Sequence, residues 1–161
     1  MEPVGKGEAM QKSNSADGGM YRFLECTADQ YMTRDVKTVT REITMRELGA
    51  LFERCDFNAF PVVEGEGVVG IVTKFDFLKA FAFTTGQMVP HYDELMRRHV
   101  REVMTEAVVH VVPTAPLTQV LQLMLTLKSR SLPVMDLDRR LVGMISREDV
   151  MRALREATEK P

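Results

Sequence analysis

Two stretches of the chain carry residues whose types and spacing could hold a ligand. GIVTKFDFLKAF runs from Gly70 to Phe81, and a near copy, GMISREDVMRAL, runs from Gly143 to Leu154. Each has a short apolar run, a hydroxyl, a cation, and an acid three residues after the hydroxyl. The two sets are Thr73, Lys74 and Asp76, and Ser146, Arg147 and Asp149. At the start of a helix this spacing is good capping chemistry. The hydroxyl accepts from an orphan amide, the acid favours the positive helix end, and the cap is worth roughly 1 kcal/mol. A cap alone would be served as well by Glu, which reaches further back in a capping box. Both copies have the shorter Asp instead, and free amides at a helix start also suit phosphate. Ligand contact and capping alone therefore both stand, and the two roles can coexist. Lys74 and Arg147 oppose the helix dipole, so phosphate neutralisation would give them a purpose; a solvated surface charge is the alternative. Glu148, beside Arg147, weakens the second copy's claim on a highly charged phosphate.

The elements that must position these residues also come twice. Setting Met32 against Met104 aligns MTRDVKTV with MTEAVVHV and brings Phe60–Val63 onto Leu132–Met135. One extra residue in the second hairpin then matches Gly70 with Gly143 and Asp76 with Asp149. A unit of about 50 residues used twice points to two units that share a buried surface. Val36–Thr40 and Val108–Val112 read as extended segments. Leu48, Leu51, Phe52 and Cys55 fall at helical spacing behind a Thr44-x-x-Glu47 capping box. In the counterpart helix Leu117, Val120, Leu121, Met124 and Leu125 share a face, and Pro116 suits the first turn. PVVEGEGVVGIV reads as a hairpin around Gly65-Glu66-Gly67, and PVMDLDRRLVGMI as its looser version. The order is strand, helix, strand, strand, helix, twice.

Flanking these units, residues 1–20 are rich in Gly, Ser, Lys and Glu and read as a mobile tail, with order beginning around Tyr21–Phe23. The expected division is 1–20 tail, 21–83 first repeat, 84–99 connecting insert and 100–158 second repeat. In the insert, Thr84, Thr85 and Gly86 break the pattern, Pro90 suits a helix start, and Tyr92–His99 has room for one or two turns. It could cover a cleft or a dimer surface; both readings stay open.

Bulk properties narrow the class. A formal net charge of −2 over 161 residues offers no general attraction for nucleic acid or an anionic membrane. No apolar run approaches the ~20 residues needed to span a bilayer, and no signal-peptide pattern opens the chain. Cys26 and Cys55 lack CxxC or zinc-like spacing, which fits a reduced, cytoplasmic setting. The twelve methionines sit mostly at apolar helical positions and read as core filler. His91, His99 and His110 share no metal-like spacing with Cys or carboxylates, so no metal site is expected. Nucleophile elbow, P-loop and zinc-protease motifs are missing, and Asp136 and Asp138 read as turn residues, so an enzyme is not expected.

With MT-x-x-V at Met32–Val36 and Met104–Val108, PVV or PVM after each first helix, and G-x-x-[T/S]-x-x-D before each last one, the chain resembles a tandem pair of CBS domains, the cystathionine β-synthase type regulatory module. The resemblance covers roughly residues 24–156. It rests on the order, spacing and duplication of marks that are weak singly. It implies an α/β fold of two β-α-β-β-α repeats packed about a pseudo-two-fold axis, with two clefts for adenosine-containing ligands: AMP, ADP, ATP or S-adenosylmethionine. It further implies that Asp76 and Asp149 accept from ribose hydroxyls, that Thr73 and Ser146 lie near ribose or phosphate, and that a basic residue at the position of Arg130 meets phosphate. The first repeat departs there, with Asn58 in place of the cation. Adenine slots would draw on Val36–Thr38 with Phe60 and Pro61, and on Val108–His110 with Leu132 and Pro133; packed core is the alternative for these apolar positions. The expected function is a stand-alone regulatory module, homodimeric, that senses an adenosine nucleotide and modulates a separate protein. A ligand-free structural adaptor of the same fold is the alternative. One working and one degenerate site is the sharper expectation.

Overall fold

The computed structural model describes residues 18–83 and 86–159. Residues 18–24 are helical, so ordered chain precedes Tyr21; the rest of the expected tail lies outside the described residues. Helix α1 (Ala28–Tyr31) follows, then β1 (Val39–Thr40), α2 (Met45–Arg54), β2 (Ala59–Glu64), β3 (Gly67–Thr73) and α3 (Lys74–Lys79). After α4 (Tyr92–Arg97) and a short 3-10 turn at Val100–Glu102 come α5 (Leu117–Leu127), β4 (Ser131–Met135), β5 (Leu141–Ser146) and α6 (Arg147–Glu159).

Local chemistry accounts for most boundaries. Thr44 caps α2: the Glu47 amide donates to its Oγ1 at 3.2 Å, and the Thr44 amide donates back to Glu47 Oε2 at 2.7 Å. Gly65, at φ +61°, makes the tight turn between β2 and β3. Pro116 stands at the N-cap of α5, one position before the expected first turn. Lys128, at φ +53°, closes α5 in the left-handed region and turns the chain toward Ser129 and Arg130. Leu117, Val120 and Met124 are fully buried, whereas Leu125, expected on the same face, is rotated off the edge of the stripe and is 65% exposed. The expected extended segments are short. β1 has two residues, and its counterpart is a single parallel bridge between Val111 and Val134. Pro113 has no N–H with which to prolong that ladder.

Two compact units result, and they cut across the sequence repeats. One takes Asp35–His110 with Met135–Val142; the other takes the chain up to Arg34, Val111–Val134 and Gly143 onward. In the first, β1 pairs in parallel with β2 and β2 antiparallel with β3. Val39, Met45, Leu48, Phe60, Val62, Val72, Met96 and Val100 form its core. The second holds most of the two-stranded β4–β5 sheet, and there α6 packs on α1 and α5. Each unit joins the Met-Thr segment of one repeat to the second hairpin strand of the other. Thr105 exchanges backbone hydrogen bonds with Ile71, both 2.9 Å, and Thr33 does so with Met144 at 2.8 and 2.9 Å. A Cβ on Gly70 would lie 2.9 Å from the Thr105 carbonyl oxygen, and one on Gly143 would lie 3.0 Å from the Thr33 carbonyl oxygen and 2.5 Å from Met32 Sδ. Both glycines are there because another backbone passes over them.

Candidate functional site

The repeated signature folds alike in both units. Strand β3 delivers Thr73 to the N-cap of α3, and Asp76 takes the third helical position. Asp76 Oδ2 accepts from the Thr73 amide at 2.9 Å and from its hydroxyl at 2.8 Å, while the Asp76 amide donates to Thr73 Oγ1 at 3.0 Å. Strand β5 does the same for Ser146 and Asp149: Oδ2 accepts from the Ser146 amide and hydroxyl, both at 2.8 Å, and the Asp149 amide returns a 3.2 Å bond. Glu and Asp serve the cap equally, so the choice of Asp does not by itself separate capping from ligand contact. Asp spans the box as well as Glu47 does at Thr44, because the extended N-cap residue brings its amide over the first turn.

What separates these acids from Glu47 is burial. Asp76 is 6% and Asp149 5% exposed, whereas Glu47 lies at the surface. A buried carboxylate needs partners for both oxygens. The second oxygen is met by a cation one turn on: Lys79 Nζ sits 2.8 Å from Asp76 Oδ1, and Arg152 Nη2 sits 2.8 Å from Asp149 Oδ1. Lys79 and Arg152 were not among the sequence candidates, although Asp-x-x-Lys and Asp-x-x-Arg recur at the same register and extend the duplicated signature. Arg152 also donates to the Tyr31 carbonyl oxygen at 2.7 Å, with its guanidinium 5.9 Å from that ring. The Tyr31 phenol is pushed up to about 12, first by burial and then by Cys26 and Glu156 beside it.

The donor budget of each cap is thereby committed. The Thr73 and Ser146 hydroxyls spend their single hydrogen on the neighbouring carboxylate. What the caps still offer is acceptor capacity, on Oδ1 of each carboxylate and on the hydroxyl oxygen. That suits a ligand hydroxyl donating inward.

Cations are distributed unequally. Around Asp149, the Arg147 amide donates to the Arg130 carbonyl oxygen at 3.0 Å, which holds Arg130 beside Ser146 and Arg147. Arg147 Nε donates to the Ser129 carbonyl at 3.0 Å, and Arg130 is exposed. Around Asp76, the Lys74 amide makes the matching bond to Asn58 at 3.0 Å, but Asn58 brings no charge. Lys74 turns toward the Phe52 ring, 6.0 Å from its centroid. The remaining candidates divide by burial. Phe60 is 1% exposed, its ring 4.9 Å from Phe52 and 6.0 Å from Phe57, and is a core side chain. Pro61 and Pro133 are buried too, Thr38 is exposed just before β1, and His110 is half-buried. Val111, the residue after His110, donates its amide to the Pro133 carbonyl at 3.0 Å. Asp136 accepts from the Arg140 amide at 2.8 Å, which is turn chemistry. Among the described residues no three His, Cys, Asp or Glu side chains cluster as metal ligands, and no helix is long and apolar enough to cross a membrane.

A duplicated cap on two α/β units, each built from a Met-Thr segment and a glycine-crossed hairpin, defines a protein of two related repeats, and comparison with known proteins agrees. The chain belongs to the CBS domain family, whose profile matches residues 28–83 and 100–156. Among curated relatives it is 28% identical over 166 residues to CBSX1, a chloroplastic CBS domain-containing protein of Arabidopsis thaliana, covering 89% of this chain and 68% of that protein. It is 29% identical over 136 residues to a homoserine O-acetyltransferase of Methanohalobium evestigatum, covering 83% of this chain but 25% of the enzyme. The chain thus spans only a quarter to about half of the length of several relatives it matches. Among solved structures it resembles CBSX2 in complex with AMP, with TM-score 0.66, 26% identity and coverage of 81% of this chain and 96% of that one. The CBS-domain containing protein ATU1752 from Agrobacterium tumefaciens gives TM-score 0.69, 27% identity, and coverage of 80% and 98%.

Proposed function

We propose that this protein is a regulatory module that binds one adenosine nucleotide per chain, at the cap of α6, and changes the surface read by a separate protein. The observation that carries this reading is the cap at Asp149. Its buried carboxylate keeps acceptor capacity for ribose hydroxyls, while Arg130 and Arg147 flank it as cations for a phosphate. A relative that holds AMP in the same fold supports the ligand class. The cap at Asp76 lacks the second cation, and Phe60 is packed beside Phe52 and Phe57, so that cap acts as structure. Ligand binding drives a change only through unequal affinity for two arrangements of the chain. Exposed apolar residues on the helices, among them Phe75, Leu78, Met151 and Leu154, support assembly with a second copy. Two free cysteines fit a reducing compartment such as the cytoplasm.

Calorimetry with AMP, ADP, ATP and S-adenosylmethionine tests the reading. One site per chain is expected, lost in Asp149→Ala and kept in Asp76→Ala. Binding weaker than millimolar to all four ligands, or equal losses in both variants, would overturn it. No binding in a chain that remains dimeric would favour a ligand-free adaptor.

A further inference from the structure

Arg152 makes a connection that its counterpart in the first signature does not. A single nitrogen, Nη2, donates to Asp149 Oδ1 at 2.8 Å and to the Tyr31 carbonyl oxygen at 2.7 Å. One arm thus joins the buried acid at the start of α6 to the last residue of α1. Asp149 Oδ2 is taken by the Ser146 amide and hydroxyl, so Oδ1, the oxygen that Arg152 holds, is the one left to accept from a ligand. At the first signature Lys79 meets Asp76 Oδ1, and its other neighbour among the described residues is the Phe75 ring, 5.5 Å from the ammonium. The bridge to a second helix exists at Asp149 alone.

Helix α1 depends on ties of this kind. It has four residues, and a helix that short has no stability of its own in water. Backbone bonds hold its start, from the Ala28 amide to Ala115 and from the Asp29 amide to Pro113, both 2.9 Å. At its end the Tyr31 carbonyl is one of the orphan acceptors that a helix leaves, and Arg152 fills it. Met32 and Thr33 follow directly, cross Gly143 and pair with Met144. All of these residues belong to one compact unit. The tie is also clear of the apolar residues offered above to a second copy. Arg152 and Glu156, four apart, flank Tyr31, whereas Met151 and Leu154 are exposed on another side of α6.

We propose that Arg152 is the positioning residue that couples the Asp149 site to α1, so that a bound nucleotide tightens that helix and the Met-Thr segment behind it. The coupling rests on the nucleotide reading above and names the element through which that site acts. A ribose hydroxyl donating to Oδ1 uses the oxygen's second lone pair and leaves the Arg152 bond in place. The ribose then fixes the carboxylate, the carboxylate fixes the guanidinium, and the guanidinium fixes the carbonyl at the end of α1. Local opening of α1 has to break that network instead of one exposed bond.

Hydrogen exchange of the full chain, read over residues 25–33 with β2 as internal control, tests the tie first without nucleotide. Exchange there should quicken by about threefold to tenfold, the scale of one hydrogen bond, in Arg152→Met and in Arg152→Lys. Lysine is one bond shorter: it reaches an acid one turn back, as Lys79 does, and falls short of Tyr31. Saturating AMP should slow exchange of the segment by a similar factor in wild type and leave it unchanged in Arg152→Lys. Calorimetry with AMP and 2′,3′-dideoxy-AMP reads the positioning. Wild type should favour AMP by about tenfold, Arg152→Met should lose that preference, and lysine should restore it; a merely structural defect would weaken both ligands alike. Unchanged exchange in both ligand-free variants, faster exchange with AMP, equal protection by AMP in wild type and Arg152→Lys, or an intact preference in Arg152→Met would overturn the coupling. The nucleotide reading survives each of those results. It fails if wild type binds neither ligand, and the coupling then falls with it.

Discussion

Glu47, Asp76 and Asp149 occupy the same position three residues into a helix, yet they sit in different surroundings. Glu47 is exposed, and its bonds from the Thr44 amide and hydroxyl hold its carboxyl below the usual 4.5, with His99 adding to the effect. A depressed folded-state value means that the unfolded chain binds more protons, so this contribution is present above the ordinary value and is lost as pH falls below it. Glu47→Gln keeps an acceptor for the cap but no charge. Its stability in urea should therefore fall less steeply than wild type as pH drops below 4.5; parallel curves would remove the linkage. At Asp76 and Asp149 the hydroxyl-acid spacing was legible in the sequence, and so was its duplication. The direction of Lys74 was not, because its rotamer depends on where Phe52, on another helix, comes to lie.

At the scale of elements, helix caps and hairpin turns follow from neighbouring residues and were readable one by one. Strand extents were less so: Val108–Val112 looks as extended as Val36–Thr40, but a proline two residues beyond Val111 leaves it a single bridge. The two glycines of the signature show the same division. Their recurrence is plain in the chain, and their reason lies in a backbone distant in sequence. Gly70→Ala would place a methyl 2.9 Å from the Thr105 carbonyl oxygen, which cannot swing aside as a side chain can. We expect a loss of about 1–3 kcal/mol in denaturant unfolding, the range for overpacking. Gly67→Ala, where the nearest atom is 3.7 Å away, should cost less. Equal losses would show that strand propensity, not close approach, explains Gly70.

For the whole molecule, ligand and fold should be linked by mass action. AMP at a hundred times its dissociation constant should raise the unfolding free energy by about 2.7 kcal/mol if it binds only the folded chain. Asp149→Ala should lose that gain, and a midpoint indifferent to AMP in wild type would argue for the adaptor reading. Sedimentation across a range of protein concentrations checks self-association. A single-copy species throughout would leave Phe75, Leu78, Met151 and Leu154 to a different partner.

By itself the sequence determined the duplicated order of elements, the caps at Thr44, Thr73 and Ser146, and the pairing of each hydroxyl with its acid. These depend on contacts within three or four residues, where spacing and side-chain type leave few alternatives. Only the tertiary structure decided that the Met-Thr segment of one repeat pairs with the hairpin of the other, that Phe60 is core, and that Lys79 and Arg152 meet the second carboxylate oxygens. Backbone pairing between residues as distant as Ile71 and Thr105, or Thr33 and Met144, leaves no local periodicity to read, and loop-closure costs, which grow only slowly with length, select no partner. Burial, in turn, is a property of what packs overhead, and the residue type records only that it can tolerate being covered.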